Sequence, residues 1–192
     1  MKTIALAALA ALAATSATAQ QDRTYSLDGG TAITLSSGWE HKQLENPAMR
    51  MASMREMMRG ASETRLRKGE TGVLVSYMHF KTDAPAKEMN QEELASLAEL
   101  ARKSAAQYLR SSVETEAAVR SAIVGNTGIA MATLTARDGE SFNVRAGYPG
   151  GCVTTGSMRR GSAAWAISVA SKSCESATHI EAVEALFAPS EE

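Results

Sequence analysis

Between residues 117 and 171 the side chains alternate apolar and polar with a period of two, and turn-forming residues interrupt the pattern at intervals. Only extended chain places every second residue on one face, so this stretch reads as a series of strands. The alternation predicts strands over 117–124, 128–136, 141–146, 152–158 and 163–171. Asp138-Gly139 and Arg160-Gly161 mark hairpin turns. Strands joined by such short connections pair antiparallel.

The segments before residue 117 supply what packs against that sheet. Residues 72–80, GVLVSYMHF, are apolar on both faces, with Val73, Val75 and Tyr77 on one and Leu74, Met78 and Phe80 on the other. Such a strand belongs in the middle of a sheet covered on both sides. Tyr25 and Leu27 share a face with Ile33 and Leu35 across an Asp28-Gly29-Gly30 turn, and Trp39 is expected to plug one end of the core. Asn90 caps a helix whose stripe is Leu94, Leu97, Ala98, Ala101, Ala105, Tyr108 and Leu109, and Glu93 stands in a capping-box relation to it. A loop with Pro85 precedes that helix over 83–87. A last helix over 178–188 presents Ile180, Val183, Leu186 and Phe187. Many strands and a few helices predict an α+β fold, a largely antiparallel sheet covered by helices. With no repeat or linker, residues 20–192 are expected to form a single domain.

The run ITLSSGWE at Ile33 to Glu40, the long middle helix, the later hairpins and the closing SATHIEAVEALF resemble the PsbP-like proteins, a group that includes photosystem extrinsic subunits and the Ran-binding Mog proteins. The chain departs from that pattern at Ser37, where a proline is common, and in a methionine-rich excursion near residue 50. The resemblance implies an α/β/α sandwich used mainly as a binding or accessory module. It transfers no site residue.

Residues 1–19 have the form of an export signal. Lys2 is the positive start, Ile4 to Ala14 an unbroken apolar run, and Ala17-Thr18-Ala19 the small residues before a cleavage point at Gln20. In helix the apolar run covers only about 16 Å, too little for a bilayer core of about 30 Å, so it is not read as a membrane anchor. The expected mature chain of about 173 residues resides in the periplasm or is secreted. There Cys152 and Cys174 are expected to pair, closing a loop worth about 3 kcal/mol. The formal charge of the whole chain is -1, which gives no general electrostatic case for nucleic acid or anionic lipid.

Methionines 49, 51, 54, 57 and 58 form the densest group of soft donors in the sequence. Pro47 suits the first turn of a helix, and a helix from Asn46 running towards Gly60 is expected, with 63–68 as an extended arm. On that helix Met51, Met54 and Met58 share a face, with Met57 close by. Two uses are open besides core packing. Thioethers bind Cu(I), which would make Met51, Met54, Met57 and Met58 a metal site and Cu(I) the only cofactor. Alternatively, arginine and methionine together suit an interface, with Arg50, Arg55, Arg59, Met54 and Met58 facing another protein. Over 49–68 six basic residues stand against two acidic ones, favouring an acidic partner.

Enzyme signatures are absent from the sequence. His41, His79 and His179 lie in different elements, there is no metalloprotease or nucleophile-elbow motif, and Tyr148-Pro149-Gly150-Gly151 lacks the lysine of a phosphate loop. The expectation is a small exported binding protein without catalysis, for example an immunity or inhibitor protein acting on a periplasmic toxin or hydrolase.

Overall fold

The computed structural model describes residues 21–82, 88–107, 117–136, 142–143 and 149–191. The expected export signal, the loop expected over 83–87, Tyr108, Leu109, Asp138-Gly139, Tyr148 and most of 141–146 lie outside the described residues. The described chain opens with β1 (Arg23–Ser26), β2 (Thr31–Leu35) and β3 (Glu40–Glu45). A 3₁₀ turn (Pro47–Arg50) and the short α1 (Ala52–Met57) follow, then β4 (Met58–Lys68), β5 (Thr71–Phe80) and α2 (Gln91–Ala106). The remainder comprises β6 (Ala118–Val124), β7 (Thr127–Thr135), β8 (Phe142–Asn143), β9 (Pro149–Gly150), β10 (Cys152–Arg160), β11 (Ala163–Ser171), α3 (Ala177–Phe187) and β12 (Ser190–Glu191).

Seven strands form one antiparallel sheet in the order β3-β4-β5-β11-β10-β7-β6. The α+β expectation holds at this level, and the apolar strand β5 is interior, paired with β4 and β11. Successive residues of a strand point to opposite faces, and here they feed two separate cores. On one face Ile129, Met131, Met158, Trp165, Ile167 and Val169 pack with the β1–β2 hairpin, Trp39 and α3. On the other, Ala130, Ala132, Leu134, Val153 and Ala170 receive Leu97, Ala101 and Ala105 of α2. Alanines suit that second face because a helix axis must approach the sheet closely there. Each large apolar side chain fully buried in this way is worth about 1.5–3 kcal/mol.

Glycine is obligatory at position 29 of the β1–β2 turn. Asp28, Gly29 and Gly30 all have φ near +60°, and a Cβ on Gly29 would lie 2.6 Å from the Tyr77 ring. The turn folds down on Trp165, whose Nε1 donates to Leu27 O at 3.1 Å. Arg160 clips it from below, donating to Gly29 O and Gly30 O while its guanidinium lies 5.7 Å from the centre of the Trp165 ring. As expected, Tyr25, Leu27, Ile33, Leu35 and Trp39 are buried together.

Three sequence expectations are corrected. The helix expected from Asn46 towards Gly60 already ends at Met57, and β4 begins at Met58, so that the extended arm expected over 63–68 is only its second half. Thr64 and Leu66 point into the core while Arg65 and Arg67 are exposed, so the period of two and ten paired positions against β5 outweigh the helical propensity of methionine and arginine. A strand is also present at EHKQLE, where none was expected. It is the edge of the sheet, so its charged residues face water and discourage further pairing. Lastly, α3 buries His179, Ala182, Val183 and Leu186, leaving Ile180 largely exposed.

Candidate functional site

The segment from Pro47 to Met57 buries no residue at all, in either the 3₁₀ turn or α1. A six-residue helix whose only partly covered side chain is Met54 has little hydrophobic reason to form, so it is held from its ends. Asn46 Oδ1 accepts from Ala48 N at 2.9 Å at the start. At the finish, Lys81 N donates to Met57 O at 2.8 Å and Lys81 Nζ donates to Arg55 O at 2.9 Å, placing a cation at the helix C-terminus. These bonds bring the end of β5 beside α1. The resulting corner exposes Met51 (59%), Met57 (51%) and Phe80 (37%) among the exposed Arg50, Arg55, Arg59 and Lys81.

This placement divides the residues expected from sequence. Arg50, Arg55 and Arg59 do share the exposed corner, and Met54 is half-buried at its base. Met58 is elsewhere: it is 1% exposed, inside β4 and opposite Phe80. A partner therefore cannot reach it, and it does not share a helical face with Met51, Met54 and Met57. Nor is the stretch 49–68 one basic face. Arg65 is bonded to Glu63, while Arg67 and Lys68 stand at the far end of β4, where Lys68 Nζ donates to Ser36 Oγ at 2.6 Å. The sequence does not associate Phe80 or Lys81 with the Met/Arg segment, because only the pairing of β4 with β5 brings them there.

The second notable cluster lies across the molecule. Cys152 and Cys174 are bonded, with Cα atoms 5.1 Å apart. The register puts Cys152 opposite Ser171, so the bridge is made after the chain curls back beyond β11, as counting residues outward from the Arg160-Gly161 turn predicts. His179 of α3, 3% exposed, stands against the bridge, with Nε2 3.4 Å from Cys152 Sγ, and it was not foreseen there. Its tautomer follows from its neighbours. Ser171 Oγ donates its hydrogen to Ser173 O at 2.8 Å, so at 2.8 Å from His179 it must accept from Nδ1–H. Nε2 is then the bare nitrogen, accepting from the Thr154 hydroxyl at 2.9 Å.

Burial lowers the His179 pKa to about 4. The unfolded imidazole titrates near 6.5, so between these values the unfolded state binds a proton that the folded state refuses. Stability is full above pH 6.5 and falls as the pH drops towards 4, by up to about 3 kcal/mol. Urea titrations at pH 7 and pH 4.5 should show that loss, and His179→Gln should flatten most of it. An unchanged slope in the variant would contradict the assignment. Glu181 contributes only at lower pH. Burial alone would raise its pKa, but bonds from Ser36 N at 2.5 Å and Trp39 Nε1 at 3.3 Å, with Lys68 nearby, hold it below the usual carboxylate range.

His79 Nε2 is 3.1 Å from Ser162 Oγ, and Arg160 is used as the turn clip described above, leaving Arg159 exposed. An open groove of about 360 Å³ beside β3, β4 and β5 is lined by Glu40, His41, Lys42, Arg65 and Arg67 over Leu66, Val73 and Leu74. Among the described residues no helix is long and apolar enough to cross a membrane. No family model, curated protein or solved structure matches this chain.

Proposed function

We propose that this chain is a small exported binding protein without catalytic activity, which recognises an acidic protein partner through the corner built by Met51, Met57, Phe80, Arg50, Arg55 and Arg59. The observation that carries this reading is the absence of any buried residue between Pro47 and Met57. A chain gains nothing in folding by ordering methionines against water, whereas an anchored, solvent-facing set of methionine, phenylalanine and arginine has the composition of a recognition surface. Arginines around an apolar centre would steer a partner of opposite charge and exclude basic ones. The paired helical and sheet layers support the PsbP-like α/β/α sandwich as the scaffold and, with it, a binding or accessory role. An immunity or inhibitor protein that occludes a periplasmic toxin or hydrolase is one form of that role. The Cu(I) alternative gains no support, since Met58 is removed from the thioethers it was to join.

Arg55 and Arg59 are exposed, so reversing both to glutamate should leave stability within about 0.5 kcal/mol. The double variant is expected to lose at least about tenfold in affinity for the partner captured from a periplasmic extract, equivalent to about 1.4 kcal/mol. An unchanged set of captured proteins would discard this face.

A further inference from the structure

We propose that reduction of the Cys152–Cys174 bridge converts this corner of the fold into a Zn²⁺ site, with Cys152 Sγ, Cys174 Sγ and His179 Nε2 as its protein ligands. The three donor atoms already lie within 4.8 Å of one another. On a tetrahedral zinc a thiolate sulfur and an imidazole nitrogen sit about 3.5 Å apart, given bonds of about 2.3 and 2.0 Å. Cys152 Sγ and His179 Nε2 are 3.4 Å apart. Two thiolates on the same ion sit about 3.7 Å apart, so the sulfurs must separate once their bond is broken. Cys174 can make that move, since it is only half-buried and lies in the turn between β11 and α3, whereas Cys152 is fixed within β10.

The surroundings favour a bound cation. Nε2 carries no hydrogen and lies 3.4 Å from Cys152 Sγ, and Nδ1–H is fixed by Ser171, the outer hydrogen bond that orients histidine ligands on metals. Thr135 Oγ1 is 3.3 Å from Cys174 Sγ and, because a disulfide sulfur carries no hydrogen, it is the donor. The same hydroxyl would support a thiolate. The Thr154 hydroxyl, which donates to Nε2 in the oxidised form, can turn to Thr133 Oγ1 at 2.8 Å when the metal takes its place. Three protein ligands leave the fourth position for water.

The chemistry balances with a dithiol as the reductant. Two electrons and two protons pass to the Cys152–Cys174 bond, giving two thiols, while the dithiol closes to its own disulfide. Zn²⁺ then displaces the two thiol protons.

The full mature chain, reduced with dithiothreitol, desalted without oxygen and titrated with Zn²⁺ against a colorimetric chelator, should bind one ion per molecule, and the oxidised chain none. Cys174→Ser and His179→Gln should each weaken binding at least tenfold. Should reduction loosen the fold, Zn²⁺ is expected to restore the near-ultraviolet circular dichroism, because binding and folding are then coupled. Imidazole ¹⁵N shifts of the unsubstituted protein provide a readout free of mutation: His179 Nε2 should move on adding Zn²⁺ while His41 and His79 stay still. The proposal is overturned if the reduced chain takes up no stoichiometric Zn²⁺, if a loosened fold is not restored, if His179→Gln binds as tightly as the parent, or if the His179 resonance does not respond.

Discussion

Gly156→Ala is expected to destabilise the protein by about 3 kcal/mol or more, and soluble expression should suffer accordingly. Gly156 sits mid-strand in β10, opposite Met131 of β7 and Ile167 of β11. A Cβ there would collide with the carbonyl oxygen of Ala130 and lie 2.6 Å from Met131 Cα. Both are backbone atoms of the neighbouring strand, so no side-chain rotation relieves the clash and β7 and β10 must move apart. A glycine within a strand often marks such a close backbone approach. Stabilities of 5–15 kcal/mol are usual for folded proteins, so one methyl group would remove a large part of the total. Gly60→Ala is the matched control. It has open space around it and no positive φ, and it should be neutral or stabilising by about 0.5 kcal/mol. Urea midpoints of the two variants check both statements, and equal midpoints would refute the clash.

Removing the bridge should cost about 3 kcal/mol. Cys152 and Cys174 are separated by 22 positions, and closing a loop of that size restricts the unfolded chain to roughly this extent. The double variant Cys152→Ala, Cys174→Ala should therefore unfold at lower urea. It should also show a steeper dependence on urea, because its denatured state is no longer cross-linked and exposes more surface. Retention of the parent midpoint would mean that the bridge adds nothing beyond the packing of β10, β11 and α3. The pH dependence assigned to His179 should persist in this variant, since it arises from burial between Ser171 and Thr154 rather than from the disulfide itself.

Much of the architecture can be read from local pattern, and the exceptions share a physical cause. The β10–β11 hairpin is plain because alternation and Arg160-Gly161 agree, and even the displacement of Cys152 from Cys174 follows from counting residues through the turn. The interior position of β5 follows from its having apolar residues on both faces. By contrast β3 contains a single large apolar side chain, Leu44, since an edge strand owes its existence to its neighbour's backbone rather than to burial. The start of β4 was hidden for the converse reason, as Met58, Arg59 and Gly60 continue the composition of the helix before them. Ile180 shows the limit of hydrophobic counting: the buried stripe of α3 is set by His179, a polar residue whose partners Ser171 and Thr154 come from two other strands. The same dependence on distant strands hid the Cys-His cluster, while Phe80 and Lys81 joined the Met/Arg corner only through sheet pairing.

A photo-crosslinking residue at position 57 in living cells, with position 103 on the exposed side of α2 as the reference, tests the exposed corner most directly. Illumination should give a discrete protein adduct from position 57 and none from 103, and Arg55→Glu with Arg59→Glu should abolish it. No adduct at 57, or one indifferent to the charge reversal, would contradict the proposal that this corner recognises an acidic protein.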